Sequence, residues 1–220
     1  MAYRPAVMCD HQTQCRSWDQ HYNVQLQEAA AWNKEHGLLA GDGPLPKLNT
    51  LLLEDCVNWA TRSHLGLLEE GEPGHNQGSW GERYFTKYKK YMSRSKKLPV
   101  HKVGISEEKN YCGTSFCIAG YAAQLSGNLD WNEYVTPDEN KIAAEPTPSY
   151  ETLITQNHGT VSVPESSQNW HVAGALILGI TEDEASRLFH GGNQIEQVRE
   201  IATQIAESRG ETLHLIPLEK

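Results

Sequence analysis

The sequence contains no uninterrupted apolar run near the roughly 20 residues that a membrane-spanning helix needs. Its first residues also lack the basic start and apolar stretch that are typical of a secretory signal. Cysteine is scarce and odd in number, with five residues that do not form the dense pattern of a secreted disulfide scaffold. We therefore expect a soluble protein without a membrane partner, in a reducing cytoplasm.

The length favours one domain with appendages. With 220 residues the chain exceeds the roughly 100 to 150 residues of a common single domain, yet it is short for two. Hydrophobic residues make up 38% of the chain, so a core can be built. We place a helical domain at 47–208, with a basic helical insertion at 82–110. An N-terminal extension with a short helix occupies 1–46, and a C-terminal tail occupies 209–220.

Apolar residues recur at helical spacing through most of the chain, which indicates a mainly α protein. Near the C-terminal end, Ile195, Val198, Ala202 and Ile205 fall on one face of a helix. The predicted helices lie at about 22–36, 47–68, 82–95, 114–126, 172–178, 182–189 and 194–208. The expected fold is therefore a compact single-domain helical bundle with one small β-hairpin at about 152–163.

A basic segment lies on this acidic chain, whose net charge is −9. Eight basic residues and no acidic one fall between Arg83 and Lys102. Aromatic residues recur there at helical spacing, and basic residues recur on another face, which predicts an amphipathic helix. The residues predicted to contact a partner are Arg83, Tyr84, Lys87, Tyr88, Lys89, Lys90, Tyr91 and Arg94.

Three roles fit the composition of this predicted helix. Its aromatic face can dock on the core while the lysines are solvated, which is the common arrangement and the one we favour. Basic and aromatic groups together can instead grip a nucleic acid or another polyanion through charge and stacking. The basic face can also pair with the acidic surface of a second copy, which would form a homo-oligomer.

Two cysteines frame the start of a predicted buried helix. Cys112 and Cys117 lie five positions apart. Between them, Thr114 or Ser115 can cap the helix by accepting a hydrogen bond from a free backbone N–H. Small residues follow that allow another element to pack closely. They are Ala119, Gly120, Ala122 and Ala123. Because buried free cysteines commonly act as small apolar residues, one interpretation of both thiols is structural.

The other interpretation is thiol chemistry. A cysteine at a helix N-terminus has a lowered pKa and becomes a nucleophile beside a histidine. The candidate catalytic residues of a thiol-dependent hydrolase or transferase are Cys112 or Cys117 with His171 or His75, and Gln77 as an oxyanion donor. The segment is faintly similar to papain-like enzymes, whose tight local signature is absent. A chain with ten histidines yields such a formal pair readily, so we favour the structural interpretation.

Metal and DNA sites find less support. Cys9, His11, Cys15 and His21 form a loose cluster without the knuckles of about two to four residues that structural zinc sites use, so no metal site and no cofactor is predicted. A helix-turn-helix can be drawn through 173–189. Its second helix would begin with three acidic residues, which repel phosphate, and this argues against sequence-specific DNA binding.

Four short motifs occur in order along the chain. They are HNQGSWG at 75–81, CGTxxCIAG at 112–120, GTVxV at 159–163 and LGITxxEAxxLF at 178–189. In combination they resemble an uncharacterised family of small proteins common in actinobacteria and their bacteriophages. The resemblance covers about 47–208 and implies no assigned activity. The chain differs from the family in two places. The segment between Trp80 and Cys112 is usually short in the family, and the first forty residues are an addition.

The function favoured by these observations is non-enzymatic. We expect a cytoplasmic accessory protein, phage-derived by its resemblance, that binds a host macromolecule or an anionic ligand. Its contact surface would be the basic aromatic helix, and its compartment would be the host cytoplasm. The alternative is the thiol-dependent hydrolase or transferase that uses Cys112 or Cys117 with a histidine.

Overall fold

The computed structural model describes residues 24–39, 43–69, 72–78, 82–85, 114–135 and 142–219. For the strand residues 82–85, 114–115, 132–135 and 142–145 it describes the backbone alone. The first helix of the N-terminal extension and the tail both lie within the described part, whereas most of the predicted basic helix lies outside it.

Six helices occur in the described part of the chain, close to where the apolar periodicity predicts them. They are α1 (24–35), α2 (Thr50–His64), α3 (Ile118–Leu125), α4 (Trp170–Leu178), α5 (Glu182–Leu188) and α6 (Ile195–Glu207). Side-chain caps mark several starts: Asn49 accepts from Leu52 N, and Thr181 forms a capping box with Glu184. The prediction of a substantial helical content is thus confirmed.

The prediction of a single hairpin is incomplete, because a five-stranded sheet accompanies the helices. Its strands are β1 (Gly74–His75), β2 (Glu82–Phe85), β3 (Thr114–Phe116), β4 (Leu129–Val135) and β5 (Ile142–Pro148), in the order β1-β3-β2-β5-β4. Strand β1 runs parallel to β3, and the other neighbours are antiparallel. The expected hairpin is also present, as β6 (Leu153–Thr155) and β7 (Gly159–Val161).

Two local predictions in this region are wrong. The helix expected at 82–95 begins as strand β2, because the backbone of Glu82–Phe85 pairs with both β3 and β5. Residues 86–95 lie outside the described part. The helix expected from Thr114 also starts later, since Thr114–Phe116 is strand β3 and the N-cap residue is Cys117, without a side-chain cap. In both places pairing with distant strands outweighs local helical periodicity.

The core forms where α4 crosses α3. Residues 172–178 of α4 are all buried, and α3 buries Ala119 and its small neighbours against them. At the crossing, a Cβ on Gly174 would lie 2.6 Å from the Phe189 ring and 3.0 Å from the Ala119 Cβ. The predicted close packing through small residues is confirmed, and it leaves no free volume beside Gly174.

The segment that follows α1 is part of this core. Leu38 is buried, and its carbonyl accepts a hydrogen bond from Glu182 N at 2.7 Å. Asn33 on α1 donates to the Glu182 carboxylate at 3.3 Å and accepts from Ser167 Oγ at 3.2 Å. The helix of the N-terminal extension is therefore fixed to the start of α5. Among the described helices, none has the length and apolar character needed to traverse a bilayer.

Candidate functional site

A polar cleft lies between the end of α2, the strand β1 with the turn that follows it, and the start of α6. Its volume is about 330 Å³, which is at the small end of the range for ligand pockets. The lining residues are Ser63, His64, His75, Asn76, Gln77, Gly78, Gly191, Asn193, Gln194 and Ile195. Amide and imidazole groups dominate this lining, and the described residues contribute no carboxylate, lysine, arginine or cysteine to it.

The wall that carries His75 is fixed by backbone bonds to two neighbouring elements. His75 N donates to Ser63 Oγ at 2.9 Å, which ties β1 to the last turn of α2. Asn76 N donates to the Phe116 carbonyl at 2.8 Å, which continues the parallel pairing of β1 with β3. A strand of only two residues is thereby held in place, and its side chains enter the cleft from a rigid support.

A relay of hydrogen bonds orients the imidazole of His75. Gln77 is buried, and its Nε2 donates to the Leu188 carbonyl at the end of α5 over 2.8 Å. That bond directs Gln77 Oε1 to His75 Nε2, at 3.0 Å. Because an amide oxygen only accepts, Nε2 of His75 carries the proton, and Nδ1 keeps its lone pair in the neutral ring.

The surroundings of His75 favour the neutral ring. Burial lowers its pKa, the nearby His64 lowers it further, and the hydrogen bond with Gln77 acts in the opposite direction with a smaller effect. The edge-to-face contact with Trp59, at 5.4 Å between ring centres, adds an apolar wall. His75 is therefore a neutral group at pH 7 that a bound anion could charge.

The opposite wall is the loop between α5 and α6. Asn193 Nδ2 donates to the Arg187 carbonyl at 2.7 Å, which caps the open end of α5 and fixes the loop. A Cβ on Gly191 would lie 3.4 Å from the Gly78 Cα, so the two loops approach closely there. The two walls of the cleft are thus joined at one end by backbone contact.

The structure does not place Cys117 in this cleft. Its side chain is 1% exposed, and burial raises the pKa of the thiol to about 11 against weaker lowering by backbone N–H groups of α3. Cys56, also fully buried, has a raised pKa for the same reason. A thiol that is protonated and closed to solvent is no nucleophile. Burial and the raised pKa therefore argue against a catalytic role for Cys117, and Cys112 lies outside the described residues.

The other predicted catalytic residues are not brought together as a group. His75 and Gln77 meet in the cleft, as described. His171 lies on α4, half-buried, near the Phe189 ring at 6.1 Å, and does not line the cleft. Burial lowers the pKa of His171, although the charge of Glu182 opposes that change. The predicted pairing of His171 with Cys117 as a catalytic dyad has no support.

Most of the predicted contact surface lies outside the described residues. Arg83 and Tyr84 lie in β2, in a strand rather than a helix. The other members lie outside the described residues. These are Lys87, Tyr88, Lys89, Lys90, Tyr91 and Arg94.

Several residues of the cleft carry no signal in the sequence that singles them out. Ser63, His64, Asn193 and Gln194 come from two separated segments, and none belongs to the motifs of the sequence analysis. The one available indication was His75 with Gln77, in the HNQGSWG motif. The described residues hold no group of three or more histidine, cysteine, aspartate or glutamate side chains placed to bind a metal ion. No family model, no curated protein and no solved structure matches this chain.

Proposed function

We propose that the protein is a non-enzymatic binding protein whose polar cleft holds a small anionic ligand. The observation that carries this proposal is the composition of the cleft, where two imidazoles and four side-chain amides meet with no carboxylate among them. Imidazole and amide N–H groups are donors, and an acidic side chain would oppose an anion. The donors that the described part of the lining supplies are uncharged amides and imidazoles, which would hold such a ligand mainly by hydrogen bonds.

The free donors in the cleft support this ligand class. Asn76 Oδ1 accepts from Gly78 N at 3.1 Å, so the N–H groups of the same amide are the part that remains for a ligand. His64 is exposed at the rim, and within the described residues its ring has no hydrogen-bond partner. When protonated, His75 would offer a second ring N–H to the anion. Binding is therefore expected to strengthen as the pH falls.

The absence of a prepared nucleophile among the described residues argues for binding rather than catalysis. Ser63 Oγ, the hydroxyl nearest to His75 in the lining, accepts a hydrogen bond from the His75 backbone and not from a catalytic base. The Cys117 thiol is closed to solvent. An accessory role in a host cytoplasm, for a phage-derived chain, is part of this proposal and is supported by the motif resemblance alone.

Titration of the full chain with inorganic phosphate tests the proposal. We expect saturable shifts of the His64 and His75 imidazole signals in NMR spectra, and a raised pKa of His75 in the bound state. Replacing His64→Ala should weaken phosphate binding. A matched control is His158→Ala, which removes an exposed histidine on the β6–β7 turn outside the cleft. If chloride at equal ionic strength gives the same shifts, or if both variants bind equally, the proposal fails.

The competing thiol enzyme now depends on Cys112. Alkylation of the folded chain with iodoacetamide, followed over pH, separates the two classes. A single fast cysteine at position 112 with a lowered pKa would favour a thiol-dependent hydrolase or transferase. Uniformly slow labelling, unchanged in Cys112→Ser, would favour the binding protein.

A further inference from the structure

The C-terminal residues form an extended strap across helix α2. Helix α6 ends at Glu207, and Gly210 takes a left-handed backbone conformation with φ +70°. Beyond it, residues 211–219 run without helix or strand, and we call them the strap. Arg209, just before the strap, is anchored to Glu184 by two hydrogen bonds of 2.7 and 2.6 Å. The strap thus starts from a fixed point and continues as a separate segment.

Side chains of α2 hold the backbone of the strap. Asn58 Nδ2 donates to the His214 carbonyl at 3.1 Å, and Ile216 N donates to Asn58 Oδ1 at 2.9 Å. One helical turn earlier, the Glu54 carboxylate accepts from His214 N. An asparagine amide that both donates to and accepts from one extended backbone reproduces the pairing of a neighbouring strand. Such pairing depends on the backbone of the occupant and not on its sequence.

The side chains of the strap supply the sequence preference. Leu213, Leu215 and Leu218 pack against the core while remaining partly exposed, and His214 between them faces solvent. Apolar side chains at the first, third and sixth positions therefore pack on the core, while the backbone between them bonds to α2. We call this surface, with Glu54 and Asn58 at its edge, the strap groove. It is separate from the polar cleft, which uses the end of α2 at Ser63 and His64.

The strap is attached weakly compared with the helices. Past Glu211, whose N–H bonds to the Ala206 carbonyl, no backbone-to-backbone hydrogen bond holds the strap to the described residues. Its contacts are three side-chain hydrogen bonds and three partly buried leucines. Segments with so few buried contacts open locally without global unfolding. The groove is therefore available to another occupant whenever the strap detaches.

We infer that the strap groove is a recognition site for an extended peptide segment of a partner protein, and that the strap occupies it as an intramolecular competitor. The resident strap defines the partner's chemistry: leucine-like side chains at positions i and i+2, and a third at i+5, where the backbone bends. The Glu54 carboxylate accepts the N–H of the residue between the first two leucines, so an acidic side chain there is disfavoured. Covalent attachment gives the strap a high effective concentration at the groove. A partner segment must therefore bind tightly enough to displace it.

Competition by a labelled peptide tests this inference on the full-length protein. The probe is a fluorescent peptide with the sequence of residues 211–219, read by anisotropy. In a variant with Leu213→Ser, Leu215→Ser and Leu218→Ser the strap should detach, and the peptide should bind at least about 10-fold more tightly than to the wild type. Adding Asn58→Ala to that variant should weaken binding by about 10-fold. A control peptide with the same three leucines replaced by serine should not bind.

Failure of the strap variant to bind the peptide while its circular dichroism remains native would overturn the inference, as would equal binding after Asn58→Ala. Formation of a dimer by exchange of straps between two wild-type copies, seen as a concentration-dependent mass in light scattering, would also overturn it. If the strap variant does not fold, hydrogen exchange on the wild type decides. The amide of Ile216 should exchange at least about 100-fold faster than amides in the middle of α6, and exchange only by global unfolding would contradict the inference.

Discussion

Arg209 and Glu184 form a two-point ion pair that joins the end of α6 to the first turn of α5. The guanidinium donates through two nitrogens over 2.7 and 2.6 Å, and the two side chains are 7% and 16% exposed. The same carboxylate accepts from Thr181 N at 2.8 Å in the capping box. One glutamate thus caps a helix and holds the chain that leads to the strap. Planar two-point geometry and burial make this pair stronger than a surface salt bridge.

Acid should weaken the fold through Glu184. Burial raises the pKa of this carboxyl, but the hydrogen bonds from Arg209 and Thr181 outweigh burial and leave the pKa below its usual 4.5. A carboxyl with a lowered pKa contributes stability that is present above pH 4.5 and is lost as the pH falls below it. We expect Glu184→Gln to cost about 2 kcal/mol at pH 7 and much less at low pH. Urea unfolding at several pH values measures the difference, and a cost independent of pH would contradict it.

Gly179 should tolerate no side chain. It ends α4 with φ +69°, and a Cβ there would lie 2.0 Å from the Lys47 carbonyl oxygen. Gly179→Ala should therefore cost more than about 2 kcal/mol of unfolding free energy, because a clash adds to the strained backbone. The matched control is Gly127→Ala, which has φ +73° with nothing within 4 Å of the new Cβ. Its cost should be about 1 kcal/mol, so equal costs would show that the contact with Lys47 does not matter.

The crossing of α3 and α4 gives a third prediction, on packing alone. Gly174→Ala would bring the new Cβ within 2.6 Å of the buried Phe189 ring, which must move. We expect a loss of about 1–3 kcal/mol in unfolding free energy, as for other overpacked cores. A double variant that also carries Phe189→Leu has a smaller side chain at the contact. It should recover part of the lost unfolding free energy. If the double variant is no better than the sum of the two single changes, the contact is not the cause.

His75 should make stability depend on pH near neutrality. Its pKa is lowered in the fold, mainly by burial, so the unfolded chain binds a proton more readily below pH 6.5. Stability from the neutral ring is complete above that pH and decreases as the pH falls toward the lowered pKa. His75→Gln should reduce this dependence between pH 7 and 5, and the part that comes from His171, whose pKa is also lowered by burial, should remain. Thermal unfolding of both forms at several pH values provides the measurement, and equal slopes would contradict the prediction.

Gln77→Leu should destabilise the cleft without emptying it. The substitution keeps the volume but leaves the His75 Nε2–H without its partner, and leaves the Leu188 carbonyl only the longer bond from Asn193 Nδ2, at 3.3 Å. We expect a cost of about 1–3 kcal/mol. It should also release the fixed tautomer of His75, which ¹⁵N shifts of the imidazole report. An unchanged tautomer in the variant would show that Gln77 does not orient the ring.

The helices could be predicted from the sequence, and the sheet could not. The capping box of Thr181 and Glu184 predicts helix α5, and an apolar stripe predicts α6. Both signals lie within a few neighbouring residues. Strand β1 has two residues and finds its partner β3 about forty positions later, so no local window contains the information. The same limit applies to Glu82–Phe85, whose aromatic residues fit a helix as well as a strand until the partners β3 and β5 are known.

The cleft was missed for a related reason. The sequence drew attention to cysteines, since their chemistry is distinctive, but burial decides whether a thiol reacts and burial is set by the whole fold. His75 and Gln77 were visible as candidates, yet as partners of a cysteine. Their actual partners are the Leu188 carbonyl and Ser63, which belong to segments that are remote in sequence. The sequence therefore identified two residues of the cleft, His75 and Gln77, and none of the contacts that hold them.

The clasp between Asn58 and the strap has a consequence for the order of folding. Ile216 and Asn58 are 158 positions apart. A contact between residues so distant in sequence closes a long loop, whereas the turns of α2 form from neighbouring residues. The groove beside Asn58 therefore closes only when two distant parts of the chain meet.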